Sequence, residues 1–265
     1  MRQTDQTRAL AAAVLAARAA GKLMRANLRA RKTISSSTQY DIKLELDVRC
    51  QKLIERALRA RFPQIALLGE EGASGDSHAA QRWVVDPIDG TVNFSYSVPH
   101  ACVSIALQER TGEAAGYAGG YETLVGVVYD PFCDELWTAT KGRPPRLNGI
   151  PIRVSRRRKL KESLVAIGFA KSPEDLQATL PAFLQVVPRV RKIRIMGAAA
   201  LSLAYVATGR FDAYIERGIS LWDIAAGGFL VECAGGDFWR EPRTDHRYRM
   251  VASNGLLARQ LPRPG

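Results

Sequence analysis

Residues 83–94, WVVDPIDGTVNF, constrain this chain most strongly, because a short apolar run ends there in two carboxylates and a glycine turn. The apolar run over residues 83–85 predicts a buried strand. Pro87 has no N–H to donate to a neighbouring strand, so the strand is predicted to end at Asp86. The Asp-Gly pair that follows predicts a turn.

The two carboxylates of this segment, Asp86 and Asp89, lie three residues apart at the end of the predicted strand. Burying two negative charges together is unfavourable unless a positive charge lies between them, so the pair suggests a divalent-cation site. The N–H groups around Gly90 and Thr91 are placed to face an anion such as phosphate. A bare D-x-x-D-G pattern also fits an ordinary turn, so other segments must decide between the two interpretations.

Two further acidic segments lie where predicted elements begin or end. Glu70 follows a predicted strand over residues 65–68, and the alternative interpretation is a solvent-exposed acidic turn. Asp223 lies at the start of a predicted helix over residues 222–233, where the helix dipole favours an anion. The alternative for Asp223 is a simple N-cap, so neither segment alone establishes a metal site.

The order of predicted elements divides the chain into two halves, residues 1–150 and 151–265, which together form one compact catalytic unit. The first half is predicted to be α+β, with a polar loop over residues 33–41. The second half alternates strands with helices, which predicts an α/β layer. Helices are predicted over residues 4–30, 44–62, 173–187, 197–208 and 222–233, and strands over residues 65–68, 83–85, 100–107, 124–129, 136–139, 163–169, 190–195 and 211–216.

Composition argues against a membrane-spanning or secreted disulfide-rich protein. No apolar run approaches the roughly 20 residues of a membrane span. Arg18 interrupts the Ala-rich N-terminal run, which therefore predicts a helix rather than a cleaved leader. The four cysteines lie far apart without a C-x-x-C pair, which predicts buried free thiols in a reducing cytoplasm.

The positive charge of the chain, a net +12, is unevenly distributed. Residues 2–61 contain 14 Lys and Arg against 5 Asp and Glu, and a second basic cluster lies in residues 153–161. Such a field favours an anionic substrate, a nucleic acid or an acidic partner. Solvated helix faces are the alternative for this surface charge.

Four segments in this order resemble the signatures of the inositol monophosphatase family. They are Gly-Glu-Glu at residues 69–71, DPIDGT at residues 86–91, GAAA at residues 197–200 and WDIAAG at residues 222–227. The likeness extends over residues 10–236, and two strong signatures at this separation are far more specific than either alone. The resemblance implies a layered αβαβα sugar-phosphatase fold, a homodimer, and Mg²⁺-dependent, Li⁺-sensitive hydrolysis of a small phosphorylated polyol or sugar.

The resemblance also implies a ligand set for two or three Mg²⁺ ions. One ion would be held by Glu70, Asp86 and the carbonyl of Ile88, and a second by Asp86, Asp89 and Asp223. Oxygen ligands of this kind are those that Mg²⁺ prefers, and two such ions can clamp the attacking and leaving oxygens of a phosphate ester.

Catalytic and substrate-binding roles follow from the same resemblance. Glu70 and Thr91, with Asp47 behind Thr91, would orient a metal-activated water. The N–H groups of Gly90 and Thr91 would hold phosphate oxygens. Substrate contacts are implied for Asp89, Gly90, Thr91, Gly197, Ala198, Ala199 and Glu216.

The chain departs from the family in the segment before Asp47. The family often has a Lys and then V-T-x-x-D there, whereas Ser36 stands near the Lys position and Leu44 lies in the altered motif. Lys32 and Lys43 are candidate substitutes for the family Lys. These departures affect two expectations from the family, the binding of a third metal ion and the water-orienting role of Asp47. A separate departure is that the segment of residues 112–122 is longer than usual for the family.

The predicted function is hydrolysis of inositol 1-phosphate. Fructose-1,6-bisphosphatase and histidinol-phosphatase activities are alternatives within the family, and residues 197–200 argue against a 3′-phosphoadenosine nucleotide phosphatase. An alternative of another class is an accessory protein that binds RNA or a transcription complex through its basic surface.

Overall fold

Helices and sheets alternate in five layers in the computed structural model, which describes residues 1–38, 42–76, 78–112, 116–169, 172–244 and 246–264. The helices are α1 Gln3–Asn27, α2 Glu45–Arg59, α3 Thr91–Ser95, α4 Pro173–Val186, α5 Ala199–Ala207 and α6 Leu221–Cys233. The strands are β1 Ile34–Ser37, β2 Ile42–Leu44, β3 Ala66–Gly69, β4 Gly72–Ser74, β5 Gln81–Asp89, β6 Cys102–Arg110, β7 Tyr121–Asp130, β8 Glu135–Thr140, β9 Arg146–Leu147, β10 Ile150–Pro151, β11 Leu164–Ile167, β12 Lys192–Arg194, β13 Ala213–Ser220, β14 Asp237–Pro242 and β15 Arg247–Ser253.

The larger sheet has eight strands in the order β10-β9-β8-β7-β6-β5-β3-β4. Its neighbouring strands are antiparallel except for the β3–β5 pair, which is parallel. Helices α1 and α2 cover one face of this sheet. The buried side of α1 consists largely of alanines, and such small side chains allow a helix to lie close to a sheet.

The central layer contains α5 and α6, which pack between the larger sheet and a five-stranded sheet. The smaller sheet has the order β12-β11-β13-β15-β14, and α4 covers its outer face. This order of layers confirms the predicted αβαβα fold. Because α5 and α6 begin at the edge where β5 ends, side chains from both sheets and both helices meet there.

Three predictions about elements are wrong. Four residues of the predicted loop over residues 33–41 form β1, which pairs antiparallel with β2, while residues 39–41 lie outside the described residues. Residues 72–74, for which no strand was predicted, form β4. Strands β14 and β15 were missed, because the charged residues in sequences such as DFWREP hide the alternating pattern of a strand that is exposed on one side.

The structure adds two observations on protein class. Among the described residues, no helix is both long and apolar enough to span a membrane. All four cysteines are free thiols, as predicted, but only Cys50 and Cys102 are buried, whereas Cys133 is exposed and Cys233 is partly exposed. The division into halves at residue 150 remains a prediction; the last strand of the larger sheet ends at Pro151.

Candidate metal centre and active site

A β-bulge brings the two carboxylates of β5 to the same face of the sheet. Asp86 is paired with Ser104 of β6, and Asp89 is paired with Cys102, so three steps along β5 match two steps along β6. Without the extra residue, side chains three apart would point to opposite faces. The predicted end of the strand at Asp86 is therefore wrong: Pro87 lies within the bulge, where a missing N–H is tolerated.

The bulge places Asp86 and Asp89 beside Asp223, which is the third residue of α6. Ligand oxygens of these three carboxylates lie within 4.8 Å of one another. Burial, followed by repulsion from Glu70, Asp223 and Asp89, raises the pKa of Asp86 well above its usual range. Burial and the nearby Asp223 raise the pKa of Asp89 to about 7.

Asp89 also binds the first turn of α5. Its Oδ1 accepts the N–H of Ala199 at 3.0 Å and its Oδ2 accepts the N–H of Ala200 at 2.7 Å. Cys102 Sγ donates to the same Oδ2 at 3.5 Å. These donors offset part of the cost of burying the carboxylate. Ala199 was predicted to contact the substrate, and in this structure its N–H donates to Asp89.

The remaining acidic groups come from neighbouring elements. Glu70 follows β3, and its N–H donates to the carbonyl of Val85 at 3.1 Å, which fixes the end of β3 beside β5. Asp223 Oδ2 accepts the N–H of Ser220 at 3.0 Å. Ser220 is the N-cap of α6, and Asp223 is the third helical residue of the capping box as well as a member of the acidic cluster. The interpretation of Asp223 as a simple N-cap is therefore wrong.

Asp47 lies directly behind Thr91. Thr91 Oγ1 is 3.0 Å from Asp47 Oδ1 and 2.9 Å from the carbonyl oxygen of Ile88, and its single hydroxyl proton can be donated to one of them at a time. Asp47 Oδ2 accepts the N–H of Leu44 at 3.2 Å. Burial raises the pKa of Asp47 to about 7. Although the motif around Leu44 is altered, the Asp47 carboxylate is still within hydrogen-bond distance of the Thr91 hydroxyl.

Neither candidate substitute for the family Lys is free. Lys32 Nζ donates to the carbonyls of Asn27, Leu28 and Ala30 at 2.6–2.9 Å, at the C-terminal end of α1. Lys43 Nζ lies 3.4 Å from Glu71 Oε1.

The turn at Gly90 connects the acidic cluster to the predicted phosphate site. Gly90 has φ 94°, and a Cβ at this position would lie 2.9 Å from the carbonyl oxygen of His100. Asn93 Nδ2 donates to the carbonyls of His100 and Met196, at 3.0 and 2.9 Å. These bonds hold the turn against residues 197–199, so the predicted phosphate-binding and substrate-binding segments lie side by side.

Glu216 lies across the same cavity, at the level of Gly168. Tyr214 Oη donates to Glu216 Oε2. A Cβ on Gly168 would lie 1.9 Å from that oxygen, so the carboxylate occupies the space that any larger residue would need. Tyr214 was not among the predicted site residues, although a separation of two residues in a strand places its side chain on the same face as that of Glu216.

A cavity of about 240 Å³ joins these groups. None of the described residues that line it is a Lys, Arg or His, although the chain as a whole carries a net +12. A set of carboxylate oxygens without a cationic side chain fits the ligand preference of Mg²⁺. The carboxylates lining the cavity are those of Glu70, Asp86, Asp89, Glu216 and Asp223.

Comparison with known proteins gives consistent results. The Inositol monophosphatase family profile matches residues 5–261. The Nus factor SuhB of Pseudomonas aeruginosa is 41% identical over 254 residues, which cover 91% of this chain and 90% of that protein. Inositol monophosphatase 1 of Solanum lycopersicum is 36% identical, over 86% of this chain and 82% of that protein.

Solved structures agree with the sequence matches. The extragenic suppressor protein SuhB of Bartonella henselae superimposes with a TM-score of 0.84 at 32% identity, covering 96% of each chain. Inositol monophosphatase from Anabaena gives a TM-score of 0.79 at 33% identity, again covering 96% of each chain. The profile, the relatives and the fold together show that this chain belongs to the inositol monophosphatase family and is a phosphomonoesterase.

Proposed function

We propose that the protein is a Mg²⁺-dependent phosphatase of a small phosphorylated polyol, with inositol 1-phosphate as the best substrate. The observation that carries this proposal is a cavity with five carboxylates and no cationic side chain among its described residues. A phosphate monoester would be repelled from such a cavity unless divalent cations entered with it. The names of the relatives support the choice of substrate, since several are inositol monophosphatases.

Asp86, Asp89, Asp223, Glu70 and the Ile88 carbonyl would hold Mg²⁺, two or three ions in all. When bound, Mg²⁺ supplies positive charge that offsets the phosphate and makes water a better nucleophile.

The protein's own residues would then orient the reactants. Thr91 would accept a hydrogen bond from the attacking water while its own hydroxyl proton points to Asp47, 3.0 Å away. Glu70, which follows β3, would accept a hydrogen bond from the same water. The N–H groups of Gly90 and Thr91 would hold phosphate oxygens, and Glu216 would accept a hydrogen bond from a hydroxyl of the polyol.

The direct experiment measures phosphate release with and without Mg²⁺ from inositol 1-phosphate, fructose 1,6-bisphosphate, histidinol phosphate and 3′-phosphoadenosine 5′-phosphate. Asp86→Asn is the informative variant, because an amide oxygen can still accept the N–H of Ile88, now 3.0 Å from Asp86 Oδ1. We expect its Mg²⁺-dependent rate to fall by about 10²-fold or more. Asp237→Asn, which neutralises an exposed carboxylate outside the cavity, is the matched control. Absence of turnover on every substrate by a folded protein would refute the proposal.

A second candidate function has a specific observation in its favour. Relatives at 36–41% identity are named Nus factor SuhB, so a role in a transcription complex is open to this chain. Asp86→Asn distinguishes the two functions: assembly into such a complex should survive this substitution, whereas catalysis should not. Loss of assembly in this variant would tie the two functions to one site.

We also propose a homodimer in the cytoplasm. Two large apolar side chains are exposed, Ile195 in the lining of the cavity at 59% and Tyr96 at the end of α3 at 75%. A second copy covering them would remove apolar surface from water. The four free thiols suit a reducing compartment. Light scattering during size-exclusion chromatography tests the dimer, and a monomer at micromolar concentration would contradict it.

A further inference from the structure

Residues 153–161 concentrate positive charge on a surface that is separate from the acidic cavity. All six cations of this segment are exposed, and five of them form no ion pair with a described residue. The sixth cation, Arg157, differs: its Nη1 lies 3.0 Å from an oxygen of the buried Asp212. The five unpaired cations, which we call the basic strip, are Arg153, Arg156, Arg158, Lys159 and Lys161.

The backbone that carries the basic strip is fixed although residues 152–159 form neither helix nor strand. Asn254 Nδ2 donates to the carbonyl of Arg157 at 2.8 Å and to Ser155 Oγ at 2.9 Å. Gln260 Nε2 donates to the carbonyl of Arg158 at 3.2 Å. Side chains on such a support lose less backbone entropy when a ligand binds than side chains on a flexible loop.

Arg153 and Arg156 line two open grooves, with volumes of about 680 and 670 Å³, and two further strip residues, Arg158 and Lys159, line the second of them. Arg143 lines the first groove opposite the strip, and Glu162 is the one carboxylate among the described residues that line either groove. Like charges held this close repel one another. An anion that spans the strip would relieve this repulsion along its whole length.

The length and chemistry of the strip select the kind of anion. An extended backbone over residues 153–159 reaches at most about 20 Å, which matches the rise of roughly six nucleotides along a duplex. Three of its five cations are arginines, whose planar donors match phosphate oxygens. The strip has no aromatic residue for base stacking, which favours contacts to the phosphate backbone over contacts to the bases.

We infer that the basic strip binds the phosphate backbone of nucleic acid without reading its base sequence. The binding surface does not include the acidic cavity, and the inference does not depend on the proposed phosphatase function. RNA and DNA present the same backbone charge, so the experiment compares both.

The test measures fluorescence anisotropy of labelled 20-base-pair RNA and DNA duplexes with the full-length protein between 50 and 300 mM KCl. In the strip variant Arg156→Gln/Arg158→Gln/Lys159→Gln, we expect affinity at 0.1 M salt to fall on the order of 100-fold. The slope of log affinity against log salt should become shallower by about 2 to 3, since each lost phosphate contact contributes about 0.9. Phosphatase activity of this variant should be unchanged.

A control variant removes the same charge elsewhere. Lys22→Gln/Arg25→Gln/Arg29→Gln neutralises three exposed cations near the end of α1, and we expect it to lose less than 5-fold. Equal losses in the two triple variants would show that only the net charge matters and would overturn the inference. So would failure to bind either duplex at 50 mM KCl, or binding of polyglutamate in place of both duplexes.

Discussion

Protons and Mg²⁺ should compete for the acidic cluster, and the competition is measurable through pH. Burial and the neighbouring Asp223 raise the pKa of Asp89 to about 7, so below pH 7 most molecules carry a proton on a carboxylate that the cation requires. Metal ligands must be deprotonated before they bind, and binding therefore releases that proton.

The magnitude follows from this one carboxyl group. With a pKa of about 7, roughly one molecule in eleven has Asp89 ionised at pH 6, against roughly ten in eleven at pH 8. The apparent Kd for Mg²⁺ should therefore decrease about 10-fold over this range, equivalent to about 1.4 kcal/mol. The raised pKa of Asp86 acts in the same direction.

Isothermal titration calorimetry of Mg²⁺ binding at pH 6, 7 and 8 provides the assay. Repeating each titration in buffers with different ionisation enthalpies counts the protons released, which we expect to fall from about one at pH 6 towards zero above pH 8. Asp237→Asn should show the same dependence as the unaltered protein. A Kd that is constant between pH 6 and 8, or binding without proton release at pH 6, would refute the assignment of Mg²⁺ to this cluster.

Three further outcomes are expected. The unfolded pKa of Asp89 is near 3.8 and the folded pKa about 7, so the folded state retains a proton that the unfolded state has lost. In EDTA, this group should lower the free energy of unfolding by about 3 kcal/mol as pH rises from 4 to 7, measured by urea unfolding. Thr91→Ala should lower kcat about 10²-fold while Thr91→Ser retains most of it, because only Ser keeps a hydroxyl for Asp47. Tyr214→Phe should raise KM for inositol 1-phosphate about 10-fold and leave p-nitrophenyl phosphate unchanged, since Glu216 loses the donor that positions it.

Each of these outcomes has a result that contradicts it. Stability that is flat or increasing between pH 4 and 7 in EDTA would contradict the raised pKa of Asp89. Equal activity of Thr91→Ala and Thr91→Ser would show that the Thr91 hydroxyl has no role in the reaction. If Tyr214→Phe changed KM equally for inositol 1-phosphate and p-nitrophenyl phosphate, the cause would be a general loss of structure rather than a displaced Glu216 carboxylate.

The sequence predicted which carboxylates meet but not how they do so. Asp86 and Asp89 were assigned from their motif, yet their spacing in a regular strand would separate them to opposite faces. The bulge that unites them depends on pairing with Ser104 and Cys102 of β6, a contact between segments that local patterns do not encode. For the same reason, the bonds from Ala199 and Ala200 to Asp89 could not be anticipated.

Elements with strong apolar periodicity were predicted well, and exposed elements were not. Helix α4 was predicted over residues 173–187 and spans Pro173–Val186, because a Pro in its first turn and a Ser before it mark its start. Strand β1 is exposed along its whole length, so no burial pattern marks it. Pairing with β2 specifies this strand, and that pairing is invisible in either segment alone.

The double use of Asp89 links the cation site to the opening of a helix. Its two oxygens hold the N–H groups of Ala199 and Ala200 at the start of α5, and a cation that draws on the same oxygens must change the strength of those bonds. The exchange of these two amide protons with solvent deuterium therefore reports what Asp89 binds. Helix α5 therefore begins with a pair of internal probes that sense the charge state of the centre.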